Sequence, residues 1–253
     1  MPNPLFHSFL YKEYSKNIGG IIYCLLPDLF AFTLTTTWKK SHDLERLKKF
    51  NLKEMIYHVY VDITFHNMMH SGILSSLREE IEQKLSNTKN FSSKIRTEKY
   101  THYIMEASLD VLTEEKYGAS NLLKESQLYL ETEKFTPILS RFLEKDTERI
   151  RRDLEYFKTL DFSKLTSIEG ILEFWRGCYL HFKDKRKVGD LDQDAIKMWF
   201  SWQYLYKPFK GRKKDDNLIR IKEIINETKP KLNEKFEDIV REIKGYINSI
   251  HLQ

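Results

Sequence analysis

The chain has 253 residues, enough for one large domain or two small ones, and 41 % of them are hydrophobic, with 16 Phe and 14 Tyr available to a core. Only 9 Gly and 6 Pro are present, which argues against a sandwich or barrel of many short strands and for long helices. A net charge of +5, from 42 Lys and Arg against 37 Asp and Glu, gives no support for a dedicated nucleic-acid partner, and two distant cysteines, Cys24 and Cys178, make neither a disulfide framework nor a CxxC pair.

The first residues, Met1 to His7, lack the basic stretch of a secretion signal. The apolar run from Ile21 to Phe32 is too short to span a bilayer and contains Pro27 and Asp28. The expectation is a soluble, cytoplasmic protein without a transmembrane segment.

In chain order, Pro4 to Lys16 reads as a first helix, with Asn3 as N-cap and Pro4 at the first helical position. Gly19 and Gly20 break it. Ile21 to Leu26 is a short apolar helix or buried segment that stops before Pro27. Thr33 to Lys40 reads as a loop or an irregular piece, and Ser41 to Glu45 as a helix start without a full capping box, because Leu44 stands where Glu or Gln is needed. Leu52 to Leu77 is a long helical pattern, continued by a polar helix from Glu79 to Leu85 and a polar linker from Asn87 to Ser93. Glu98 to Lys116 is the next helix, ended at Gly118 to Asn121. Further helices are expected over Leu122–Glu131, Phe135–Phe157, Ser167–Phe182, Asp192–Tyr206 and Asp216–Ile250, the last interrupted at Pro230.

Six of the eight histidines lie between His7 and His102. His58, Asp62, His66 and His70 recur every four residues, and so do His102, Glu106 and Asp110 on a second helix. Residues four apart lie one turn apart on the same face, so each set forms a stripe. Apolar neighbours flank both stripes, among them Val59, Val61, Ile104 and Leu109. Buried imidazoles and carboxylates need partners, and a metal ion satisfies several at once. His70 reads as exposed or as an orienting partner of a ligand, since repeated steps of four drift around the helix. Asp110 reads as an orienting partner of a metal-bound histidine or as a solvent-facing acid.

In combination the residues resemble the zinc-dependent phospholipase C family, which is all-helical and shares its site design with the single-strand-specific zinc nucleases. The resemblance covers residues 1 to 112. It rests on His7, on Pro27-Asp28 after a Gly-led apolar segment, on His42, on His58-x-x-x-Asp62-x-x-x-His66 and on His102-x-x-x-Glu106-x-x-x-Asp110. It implies two or three zinc ions: one held by Asp28, His42, His58 and Asp62, a second by His66, His102 and Glu106, and a third by His7 with Asp62 bridging. It also implies that Asp28 orients or deprotonates the attacking water. Secreted members use an amino-terminal Trp on the third ion, where this chain begins Met-Pro, and they space Asp62 and His66 more widely. Acyl-carrier-protein phosphodiesterases share the opening pattern, but they carry an Asp at the His66 position and an Arg at the Val59 position.

The ligand types suit zinc, and also manganese or iron, without any family. Two neighbouring cations can clamp a phosphodiester oxygen and lower the pKa of a water between them. Beyond residue 115 nothing resembles a known family. Trp175, Arg176, His181 and Lys183–Lys187, and then Trp199–Lys214, place aromatics beside basic residues, best read as helical core followed by a solvated loop.

The expectation is therefore one compact all-α domain over residues 1–253 of the zinc-dependent phospholipase C and nuclease type. Residues 1–115 carry the site, and the role of 116–253 is open. The expected activity is metal-dependent hydrolysis of a phosphoric ester, with phospholipid among the substrates; the alternatives are an acyl-carrier-protein phosphodiesterase-like hydrolase and a non-catalytic metal-binding protein.

Overall fold

The computed structural model describes residues 4–33, 35–87, 94–183 and 215–250. The described residues form helices and no strand. The helices are α1 (Pro4–Ser15), α2 (Gly19–Cys24), α3 (Leu26–Phe32), α4 (Trp38–Ser41), α5 (Leu44–Lys49), α6 (Lys53–Ser71), α7 (Ser75–Ser86), α8 (Lys94–Tyr117), α9 (Ala119–Ser126), α10 (Thr132–Leu143), α11 (Thr147–Lys158), α12 (Ile168–Lys183) and α13 (Asp215–Ser249). Short 3-10 turns at Gln127–Tyr129 and Phe162–Thr166 join α9 to α10 and α11 to α12. No helix among the described residues is long and apolar enough to cross a membrane.

One apolar cluster runs from Leu5 to Ile247. The long helix α13 lies against α8 and also touches α6, α7 and α1. Its buried face, with Ile224, Leu232, Phe236, Ile239 and Ile243, caps the helices that carry the histidines. Helix α1 is buried on every side from Pro4 to Tyr11, as expected of a helix in the middle of a core rather than on its surface. Its first amides are held by a side chain far along the chain: Leu5 N–H and Phe6 N–H both donate to Asp110 Oδ1, at 3.1 and 3.0 Å. Asp110 is fully buried, so it is neither a solvent-facing acid nor a partner to a histidine here; it satisfies the open donors of a helix N-terminus.

Several boundaries differ from the sequence expectation. Pro27 does not merely stop the preceding segment; it occupies the first turn of α3, where its missing N–H costs nothing. Helix α5 starts after Asp43, whose carboxylate accepts from Arg46 N–H, while Ser41 closes α4, a turn that begins inside the expected loop under the cap of Thr37. The single helix expected from Leu52 to Leu77 breaks at Gly72, where an added Cβ would stand 2.8 Å from Met68 Cα. The helix expected from Phe135 to Phe157 divides at Glu144, which turns left-handed (φ 53°), and Asp146 caps the second half through the amides of Glu148 and Arg149. Conversely, α13 runs on through Pro230: one backbone bond is lost, and the continuous apolar face holds the helix together. The expected N-cap Asn3, the linker residues 88–93 and the helix Asp192–Tyr206 lie outside the described residues. So do the aromatic and basic stretches, including the side chains of Trp175, Arg176 and His181.

Candidate metal centre

Four side chains from three separate stretches converge in the core. Asp28 projects from the first turn of α3, His42 follows α4, and His58 and Asp62 stand one turn apart on α6. Their ligand atoms all lie within 4.8 Å of one another. His42 Nε2 is 3.4 Å from Asp28 Oδ1 and 3.4 Å from Asp62 Oδ2; His58 Nε2 is 3.4 and 3.5 Å from the same two oxygens. These separations are long for hydrogen bonds. They match the edge of a tetrahedron around an ion with bonds of 2.0–2.2 Å, which is roughly 3.3–3.6 Å.

Satisfaction of the polar atoms points the same way. Both oxygens of Asp28, Oδ2 of Asp62, and Nε2 of His42 and of His58 are buried and have no hydrogen-bond partner. Buried carboxylates and imidazoles left in this state cost several kcal/mol apiece on the order-of-magnitude scale for unpaired polar groups. His42 Nδ1 lies 3.0 Å from the carbonyl of Trp38 and 2.9 Å from the Ser41 hydroxyl; donation to that carbonyl, which can only accept, leaves Nε2 with a bare lone pair toward the carboxylates. Trp38 also stacks on the ring at 3.6 Å and fixes its plane. A lone pair aimed at two carboxylates is repulsive unless a cation stands between them.

Electrostatics identify the charge that the centre attracts. Burial disfavours a charged His58, but the carboxylates of Asp28 and Asp62 outweigh it and hold the His58 pKa well above its usual value. Burial likewise opposes ionisation of both acids, and the same histidine holds both below the usual carboxylate range. The centre therefore favours a cation, either a proton on His58 or a metal ion in its place. Burial raises the pKa of the nearby Cys24 thiol.

His7 stands beside this group. Its ring stacks on His58 at 4.0 Å, and its Nε2 lies 3.3 Å from Asp62 Oδ1, the oxygen not facing His42 and His58. Burial, and then His58, lower its pKa, keeping the ring neutral. Asp62 thus has one oxygen toward the four-residue group and one toward His7. It is also the most open member: its side chain is 23 % exposed, against 0 % for Asp28 and His58 and 8 % for His42.

The remaining expected ligands are arranged differently from the expectation. His66 and His102 come together with His70, not with Glu106. Glu106 is buried one turn from His102 on α8. Burial, reinforced by the Asp62 and Asp28 carboxylates, pushes its pKa up to about 8. Burial lowers His102 to about 3. The α6 stripe does not face inward along its whole length: His58 is buried, and His66 is exposed. The sequence signal for His70 was the third step of the same four-residue ladder.

Compared with known proteins, the chain matches no family model, no curated protein and no solved structure.

Proposed function

We propose that the protein is a metal-dependent hydrolase of phosphoric esters, a phosphodiesterase resembling the zinc-dependent phospholipases C. The observation that supports it most is the set of buried, partnerless donor atoms from Asp28, His42, His58 and Asp62 at tetrahedral-edge separations. Two carboxylates and two imidazoles fit zinc, with manganese or iron as the other matches. Bound there, such an ion supplies polarisation of a phosphoryl oxygen and a water acidic enough to attack near neutral pH.

The chain's own residues divide the remaining work. Trp38 holds His42 in the ligating tautomer. Asp62, the exposed edge of the group, marks the side from which a substrate oxygen arrives, and its second oxygen engages His7. Asp28, fully buried with both oxygens free of hydrogen bonds, would ligate with one oxygen and orient an attacking water with the other.

The test is metal analysis of untagged protein followed by turnover of bis-nitrophenyl phosphate. The expected result is at least about one zinc, manganese or iron per chain, and cleavage that disappears with chelator and returns with zinc. Metal-replete protein inert toward phosphodiesters, phospholipids and nucleotides would reduce the reading to a binding site without catalysis.

A further inference from the structure

Helix α6 carries its ladder beyond the buried centre. Each step of four residues turns the side chain by about 40° around the helix axis, so His66 and His70 rotate off the core toward the rim, where α8 brings up His102. The three rings form a cluster: His66 to His70 at 4.2 Å, and His102 at 5.5 Å from each. One ligating nitrogen from each lies within 4.8 Å of the other two, and His70 Nε2 stands 3.3 Å from His102 Nε2, again a tetrahedral edge. His66 is exposed and the other two are half-buried, which leaves a side for a ligand not supplied by the protein.

Arg78, at the start of α7, touches this cluster. Its Nη1 donates to His70 Nδ1 at 3.0 Å. A guanidinium can only donate, so Nδ1 accepts, and in the neutral ring Nε2 carries the proton toward His102. A metal ion on Nε2 requires the opposite tautomer. The ring proton then sits on Nδ1, where Arg78 has nothing to donate to, and Glu82, 3.7 Å from the same Nη1, is the alternative partner.

We propose that His66, His70 and His102 form a second metal site of three imidazoles, distinct from the buried centre, and that Arg78 competes with the ion by holding His70 in the non-ligating tautomer. Glu106 is not part of it. The ring proton of His70 moves from Nε2 to Nδ1 on binding and none is lost. Three neutral nitrogens beside a guanidinium attract a divalent ion far less than two buried carboxylates do, so this ion is the exchangeable one. Imidazole donors select zinc, copper or nickel over magnesium or calcium. The site shares metal chemistry with the proposed function but needs no substrate to be seen.

The experiment is a titration of chelator-stripped, full-length protein with Zn²⁺ alone by calorimetry, repeated with Co²⁺ by visible absorption. Wild type should show a tight class and a weaker class of sites. His70→Gln and, separately, His66→Ala should remove the weaker class and leave the tight one, with unchanged circular dichroism. Arg78→Gln should tighten the weaker class on the order of tenfold, the size of one screened repulsion. The proposal is overturned by a wild type that lacks the weaker class, by a weaker class that survives His70→Gln, by its loss in Glu106→Gln, or by weaker binding in Arg78→Gln. Loss of the tight class alone overturns the buried centre and the proposed function, and leaves this site standing.

Discussion

The buried centre and the histidine rim share one helix and differ in almost everything else. His58 and Asp62 meet Asp28 and His42 in the core, where burial opposes ionisation of the carboxylates and His58 favours it. Two turns further along α6 the same residue type stands at the surface, without a carboxylate ligand and beside an arginine. The difference teaches that a repeated histidine does not fix affinity. Burial, donor charge and the partner of the second ring nitrogen do.

Breaking the buried centre should have the largest effect. Asp28→Asn removes one of its two anionic donors, and metal analysis should show loss of the tightly held ion together with loss of any metal-dependent phosphodiester cleavage. A variant that keeps both would show that the four-residue group holds no ion.

A smaller effect separates the ligands from the acid that only supports them. Asp110→Ala leaves the amides of Leu5 and Phe6 without an acceptor, a cost of about 1–3 kcal/mol for an unmade buried hydrogen bond. Urea denaturation should report this destabilisation, while the folded variant still binds the tight ion. Asp62→Asn should do the reverse, with metal lost first. Equal metal loss in the two variants contradicts the assignment.

The smallest effect lies at the back of His42. Glu144, exposed at the end of α10, accepts from Lys40 and Arg46, which flank the His42 segment, and these hydrogen bonds lower its pKa from 4.5 to about 2. A carboxyl with a depressed folded-state pKa adds stability above pH 4.5, and that contribution fades as pH falls toward about 2. Glu144→Gln should therefore slightly lower the melting temperature at pH 6 and flatten its decline between about pH 5 and pH 3. An identical acid limb in variant and wild type removes Glu144 from the support of the centre.

Much of this arrangement was legible in the residues. The four-residue ladder on α6 and the Pro27-Asp28 pair are local patterns, and local patterns survive into structure because one turn of helix fixes them. The helical class followed from scarce glycine and proline. What could not be read was rotation and depth. The drift that carries His66 to the surface, beside His70 and His102, depends on how α6 and α8 cross. The role of Asp110 depends on a contact between residues 105 apart, which no spacing rule reaches. The break at Gly72 was readable in principle, but the periodicity of Leu52 to Leu77 outweighed a single glycine. Pro230 misled in the other direction, since an extended apolar face can carry a helix across one lost hydrogen bond.

The grip of Asp110 on the start of α1 also closes a long loop of chain. The helix bearing His7 has its leading amides secured by a carboxylate that lies more than a hundred residues further along the chain. Contacts of such sequence separation close late, after the intervening loops have lost their freedom. Asp28, His42, His58 and Asp62 all precede α8 in the chain, so the seat of His7 depends on a segment that supplies none of those four donors.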